Sequence, residues 1–124
     1  NHGGRQLDGA ASSISMLPKI ADAVGNDIEV MFDGGIRSGQ DLFRAIALGA
    51  KSCLIGRAYI YGLGALGGAG VTTAIDIIRK ELDITMALTG VTRISDIGRN
   101  VLATETVPEE THVLELAERK AAAR

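Results

Sequence analysis

The sequence predicts a parallel α/β fold. Two short apolar segments, residues 28–32 and 52–56, have the length and the β-branched content of buried strands. Segments with helical periodicity lie before, between and after them, at residues 14–25, 40–49 and about 70–89. Strands that alternate with helices form right-handed βαβ units, and the strands of such units pair in parallel.

Each predicted helix has an apolar face with helical spacing. In the first helix this face consists of Ile14, Leu17, Ile20, Ala21 and Val24, and Gly25 is the expected C-cap. In the second it consists of Leu42, Phe43, Ile46 and Ala47, and Gly49 ends the helix. In the third it consists of Val71, Ala74, Ile75, Ile78, Leu82 and Met86.

The C-terminal region divides into two parts. Residues 93–103 predict one more short helix, with Ser95 as its N-cap. From residue 104 to residue 124 the composition turns polar, which indicates a tail or a surface helix entered at Pro108. The expected organisation is therefore a folded part over residues 1–103 and a polar C-terminal tail over 104–124.

Two strands alone do not make a stable parallel sheet, because both faces and both edges need cover. A (β/α)8 TIM barrel takes roughly 250 residues, and this chain has the content of its C-terminal part. We therefore expect residues 1–103 to be that part of a barrel. The chain alone should be unstable, because the apolar strand residues would lack an opposite wall; they are Ile28, Val30, Phe32, Leu54 and Ile55.

Composition narrows the class of protein. The 124 residues carry a net charge of −2, which gives no electrostatic case for nucleic acid as a partner. The most apolar stretch, residues 45–70, is interrupted by Lys51 and Arg57, so no membrane span is predicted. Cys53 is the single cysteine and cannot form an internal disulfide, which favours a reducing compartment and a plain buried thiol.

Glycine and arginine follow both predicted strands. Asp33, Gly34, Gly35 and Arg37 come after the first strand, and Gly56 and Arg57 after the second. These strand ends share one rim of the sheet, where glycine amides, arginines and the start of the next helix favour a phosphate. Asp33 suits a sugar or ribityl hydroxyl better than a phosphate. Taken alone, the first segment also fits a tight turn with Asp33 as a local cap.

The first residues, "NHGGRQLD", place His2 and Arg5 in one glycine-rich loop. A histidine suits general base work near neutral pH, and an arginine grips a carboxylate with two hydrogen bonds. The pair fits an enzyme that acts at the α-carbon of a small acid, although an incidental surface pair has the same spacing. His112 lies among acidic residues and is expected to be solvated. The spacing of His, Cys and carboxylates predicts no metal site.

Four segments resemble the C-terminal part of the FMN-dependent α-hydroxy acid dehydrogenase and oxidase family: "NHGGRQLDGA", "DGGIRSGQDLFRAIALGAKSCLIGRAYIYGL", "GGAGVTTAI" and "ELDITMALTGVTRISDI". The resemblance covers roughly residues 1–103 and is strongest to bacterial respiratory L-lactate dehydrogenases. "DGGIR" and "GR" also occur in barrels similar to isopentenyl diphosphate isomerase or inosine monophosphate dehydrogenase. "NHGGRQ" favours the hydroxy-acid family over those, and a non-catalytic flavin-binding fragment is the remaining alternative.

The resemblance implies a role for each of these residues. His2 would be the active-site base and Arg5 would bind the substrate carboxylate. FMN would contact Asp33, Gly34, Gly35, Arg37, Gly56 and Arg57. The chain would supply the loop after strand six of a barrel, then strands seven and eight with their helices.

The expected reaction is oxidation of an L-2-hydroxy acid, with L-lactate to pyruvate as the best match. It requires the N-terminal remainder of the barrel and an electron acceptor, which is a quinone, a cytochrome or oxygen. We expect a homo-oligomer in the cytoplasm, with peripheral association at the cytoplasmic face of the inner membrane left open.

Overall fold

The chain folds as an α/β unit on two parallel strands. The computed structural model describes residues 2–103, and for His2 and Gly3 it describes the backbone alone. Strands β1 (Met31–Asp33) and β2 (Ser52–Leu54) pair in parallel, with Phe32 opposite Cys53. The helices are α1 (Ser13–Val24), α2 (Gly39–Ala47) and α3 (Arg57–Thr89), and 3-10 turns lie at His2–Arg5, Ile94–Asp96 and Arg99–Val101.

The core lies on both sides of α2. One cluster joins α1, the sheet and α2, through Leu17, Val30, Phe32, Ile36, Ala45 and Ala50. The second joins α2 to α3 and the turns that follow, through Phe43, Ala47, Leu82, Met86 and Ile97. Because α2 contributes residues to both clusters, it fixes the position of α3 relative to the sheet.

One face of the sheet is covered and the other is open. Val30 and Phe32 are buried against the helices, whereas Met31 is 61% exposed on the opposite face. Leu54 pairs in register with Asp33 and is 47% exposed. The expectation that Val30 and Phe32 would lack a packing wall is therefore wrong, because the helices cover them.

Several boundaries differ from the sequence prediction. The strands are shorter than predicted, and each covers three residues. Gly25 is the C-cap of α1 as predicted but in a right-handed conformation, whereas Gly49 follows α2 with the positive φ of 111° that favours glycine. Ile20 and Ile75 were predicted on inward faces and are about half exposed.

Helix α3 begins well before the predicted residue 70. It starts at Arg57 and changes direction at Leu66 and Gly67, whose backbone angles are not helical. A side chain at Gly62 would overlap the backbone of Gly70, and the reverse also holds. Residues eight apart in a straight helix are about 12 Å apart, so this contact requires the chain to fold back on itself between the two glycines.

By length and composition alone, α3 could cross a membrane. The change of direction at Leu66 and Gly67 divides it, however, into a segment of nine residues and a longer one. The longer segment carries five charged residues: Asp76, Arg79, Lys80, Glu81 and Asp83. Neither segment is a continuous apolar stretch of the length that a bilayer needs.

The single short helix predicted over residues 93–103 is divided in two. This segment forms two 3-10 turns, and Arg93 rather than Ser95 is the N-cap of the first. Ser95 instead donates its hydroxyl to Asp96. The predicted tail, residues 104–124, with Pro108 and His112, lies outside the described residues.

Candidate active site

A cavity of about 280 Å³ lies where the two strands end. Its walls contain seven of the eight residues that the sequence marked as functional: Arg5, Asp33, Gly34, Gly35, Arg37, Gly56 and Arg57. The sequence did not mark Ile36, Leu54 and Ile60, which add apolar surface to the same walls. The structure therefore brings the two glycine and arginine segments together, as parallel strand ends predict.

The β1–α2 loop (residues 34–38) forms one wall. Gly34 and Gly35 have φ angles of 127° and 82°, a region that side-chain-bearing residues rarely adopt, so glycine is required for this turn. Arg37 is exposed and lines the cavity, and its backbone N–H is hydrogen-bonded within the same segment. It donates to Oδ2 of Asp41 at 3.1 Å, and the N–H of Ser38 donates to the same oxygen at 3.1 Å.

The start of α2 is closed to an anion. The Ser38 hydroxyl accepts from the N–H of Asp41 at 3.1 Å, which completes a reciprocal capping box with the Asp41 carboxylate. The N–H of Gly39 donates to Oε2 of Glu81 at 2.8 Å. The sequence-based expectation that this helix start favours a phosphate is therefore wrong. The Ser38–Asp41 spacing is the signal in the sequence that could have shown it.

The α3 start (Gly56 and Arg57) forms the facing wall and is open. Gly56 is the N-cap and makes no side-chain hydrogen bond to the helix. A Cβ at Gly56 would meet no atom within 4 Å, so the approach to the first amides of α3 is unobstructed. Uncapped amides carry the positive end of the helix dipole, and Arg57 adds a full positive charge beside them.

Arg5 brings a third guanidinium to the cavity. It ends the 3-10 turn His2–Arg5, and its side chain lines the cavity with Arg37 and Arg57. The backbone of His2 belongs to the same turn, and its side chain lies outside the described residues. The lining contains three arginines and one carboxylate, that of Asp33, so it has an excess of two positive charges. Such a site suits an anionic group with more than one acceptor oxygen.

Two other features, a second cavity and the Cys53 thiol, are less suited to binding an anionic group. A larger cavity of about 640 Å³ lies between α2 and the C-terminal end of α3, and Arg44 is its one charged lining residue. Partial burial raises the pKa of the Cys53 thiol to about 11, so the thiol stays protonated at neutral pH. Among the described side chains, which exclude that of His2, no three from His, Cys, Asp or Glu lie close enough to hold a metal ion.

Comparison with known proteins decides the family. The profile described as FMN-dependent dehydrogenase matches residues 1–104 of this chain. The chain belongs to the FMN-dependent dehydrogenase family. FMN is the cofactor that defines this family, and the family match covers all of the residues that line the cavity.

Relatives within the family are considerably longer than this chain. It is 55% identical to an L-lactate dehydrogenase of Caulobacter sp. (strain K31) over 103 residues, which are 83% of this chain and 27% of that protein. It is 57% identical to an L-lactate dehydrogenase of Caulobacter vibrioides over 108 residues, or 87% of this chain and 28% of that protein. The chain thus spans just over a quarter of the length of these relatives.

Among solved structures, the chain resembles an oxidized active mutant of (S)-mandelate dehydrogenase. The two share 39% identity and superpose with a TM-score of 0.78, over 85% of this chain and 29% of the other. The α/β arrangement described above is therefore that of an FMN-dependent dehydrogenase.

Proposed function

We propose that this chain is the C-terminal part of an enzyme that uses FMN to oxidise an L-2-hydroxy acid, and that L-lactate is its substrate and pyruvate its product. The observation that carries the proposal is the cavity, where Arg5 meets the two glycine and arginine segments. Two relatives above 50% identity are L-lactate dehydrogenases. Family membership favours this reading over an isomerase or a nucleotide dehydrogenase.

The walls fit the phosphate end of FMN. We assign the phosphate to the open α3 start, between Arg57 and the glycine turn at Gly34 and Gly35, with Arg37 as a second cation. Asp33 ends β1 at the open face of the sheet, where its carboxylate can accept hydrogen bonds from ribityl hydroxyls. When bound, FMN supplies the two-electron acceptor, and the protein supplies orientation and charge.

The substrate contacts come from the first turn. Arg5 binds the substrate carboxylate through two parallel hydrogen bonds, because a guanidinium matches the carboxylate in geometry and charge. His2 acts as the base and takes a proton from the substrate, either from Cα or from the hydroxyl group. The location of Arg5 on the cavity wall and of His2 three residues earlier supports this division of roles.

We propose that residues 1–103 complete a (β/α)8 barrel by supplying strands seven and eight, and that residues 104–124 form a separate tail. The open face of the sheet supports this, because Met31 and Leu54 are about half exposed there. The electrons then pass to a quinone, a cytochrome or oxygen. The proposal also includes a homo-oligomer in the cytoplasm or at the cytoplasmic face of the inner membrane.

The barrel proposal predicts that residues 1–124 alone form no stable monomer. Ile28, Met31 and Leu54 stay 61%, 61% and 47% exposed, and at about 25 cal/mol per Å² leaving such side chains unburied costs roughly 3–5 kcal/mol, a large part of the stability of an ordinary domain. Circular dichroism and thermal melting of the isolated segment check this. Cooperative melting of a monomer would contradict the barrel proposal.

The test of function compares Arg5→Met with Arg5→Lys in the full-length protein. Arg5→Met removes a charged bidentate contact and should lower kcat/KM for L-lactate on the order of 100-fold. This corresponds to a loss of about 3 kcal/mol of transition-state stabilisation. Arg5→Lys keeps the charge and should lose less. FMN content is the control and should not change. Unchanged kcat/KM in Arg5→Met, or faster turnover of glycolate or L-mandelate by the wild type, would contradict the proposal.

A further inference from the structure

Glu81 lies on α3 and makes a contact with the first residue of α2, outside the cavity. Its Oε2 accepts the N–H of Gly39 at 2.8 Å, although the two residues are 42 positions apart in the sequence. Gly39 directly follows the β1–α2 loop, which carries Arg37. Glu81 belongs to the helix whose first residue is Arg57. The contact therefore links the elements that carry the two walls.

The backbones of α2 and α3 are in direct contact at the same point. A side chain at Gly39 would overlap the main chain of Glu81 and Leu82. Gly39 is buried, and its φ is not in the left-handed region, so glycine is needed here for space rather than for backbone conformation. This close approach allows the Glu81 carboxylate to reach the N–H of Gly39.

A second close contact connects Glu81 to the α3 start. The Gly62 and Gly70 backbones touch where α3 folds back on itself, which fixes the first segment of the helix against the second. A continuous path therefore runs from Arg57 through Gly62 and Gly70 to Glu81, and from there through Gly39 to Arg37. Each step of this path is a run of covalent backbone, a backbone contact or a hydrogen bond.

We propose that Glu81 is a positioning residue that sets the distance between the two phosphate-holding walls, and that Gly39 makes its contact with the loop possible. This inference rests on the proposed placement of the FMN phosphate. Glu81 does not line the cavity and acts through the backbone of Gly39. Without it, the β1–α2 loop samples displaced positions, and the apparent affinity for FMN falls by the fraction of molecules in which the walls are aligned.

The experiment uses the full-length protein and measures binding of FMN and of riboflavin, which has no phosphate. Glu81→Ala should raise the Kd of FMN about tenfold and leave the Kd of riboflavin unchanged, because one charged hydrogen bond is lost at the phosphate end. Glu81→Gln keeps an acceptor oxygen and should restore the Kd of FMN to within about twofold of wild type. The kcat per bound flavin should stay the same in both variants.

Gly39→Ala should weaken FMN binding more than Glu81→Ala, and if it does not fold, the two Glu81 variants decide. Arg99→Ala is the matched control, since it removes another contact between elements, the 2.6 Å ion pair with Asp22, away from the cavity. It should change the melting temperature and not the ratio of FMN to riboflavin affinity. If Glu81→Ala lowers the melting temperature but leaves that ratio unchanged, Glu81 is merely structural and the inference is wrong.

The test separates this inference from the proposed function. Weaker FMN binding in Glu81→Ala, together with a wild type that turns over no 2-hydroxy acid, would support the inference and contradict the function. Normal FMN binding in Glu81→Ala, together with turnover of L-lactate by the wild type, would contradict the inference and support the function.

Discussion

The starts of α2 and α3 face the same cavity and differ in what holds their N–H groups. Both follow a strand end with glycine and arginine, so they look alike in the sequence. At α2, Asp41 accepts the N–H groups of Arg37 and Ser38, and Glu81 accepts that of Gly39. At α3, Gly56 provides no side-chain cap. A helix start can bind an external anion only where the protein has not already supplied its own.

This difference assigns separate tasks to the two starts. The α2 start is an internal structure that holds Arg37 in place, and its carboxylates would repel a phosphate at that position. The α3 start is available to a ligand. Substitutions at Arg57 and Asp41 test this assignment, Arg99 is the control away from both starts, and the expected effects decrease in that order.

Arg57→Ala should have the largest effect on FMN binding. It removes the cation at the open helix start, where a charge-assisted hydrogen bond to a phosphate contributes about 2 kcal/mol, so the Kd of FMN should rise roughly 30-fold. Arg37→Ala should raise the Kd of FMN less, because the N–H groups of the α2 start beside Arg37 already donate to Asp41 and Glu81 and cannot help to hold a phosphate there. Fluorescence titration of the apoprotein measures both, and a larger effect at Arg37 would reverse the assignment.

Asp41→Ala should mainly reduce stability. It breaks the capping box and leaves the N–H groups of Arg37 and Ser38 without their partner, which costs about 1–2 kcal/mol of unfolding free energy. Urea unfolding of the full-length protein measures this, provided that the transition is two-state. Asp41→Asn keeps an acceptor oxygen and should recover about half of the loss. If Asp41→Ala instead tightened FMN binding strongly, the α2 start would be a second anion site.

Arg99→Ala should have the smallest effect. The Arg99 and Asp22 side chains are both more than half exposed, and exposed ion pairs contribute less than about 1 kcal/mol because solvent and salt screen them. The melting temperature should fall slightly at low salt and differ little from wild type at high salt. A large loss that persisted at high salt would show that the hydrogen bond from Arg99 to the Pro18 carbonyl oxygen, rather than the ion pair, holds the 99–101 turn.

The sequence predicted the elements that depend on local periodicity and missed those that depend on distant backbone. The apolar spacing of Phe43, Leu82 and Met86 correctly placed these residues in the core. The first segment of α3 was missed because five glycines between residues 62 and 70 indicate turns, whereas here two of them let helical segments touch. In this case tertiary contact overrode a weak helix propensity.

The candidate site shows the same division. Parallel strand ends meet at one rim, so the order of strands and helices in the sequence is enough to bring Arg37 and Arg57 together. The sequence could not identify Glu81 as the partner of Gly39, because nothing local marks a contact across 42 residues. The capping box of Ser38 and Asp41 was visible in the sequence and would have corrected the anion assignment at α2.

The reversal in α3 has a consequence for how such chains can vary. Gly64, Gly67 and Gly68 are exposed, and a Cβ at any of them would meet no atom within 4 Å. The bend can therefore accept larger side chains or extra residues, especially at Gly64 and Gly68, where φ is not positive. Gly62 and Gly70 on either side cannot. Related enzymes can thus lengthen or decorate this corner, and acquire new surface features there, while the cavity at the strand ends keeps its dimensions.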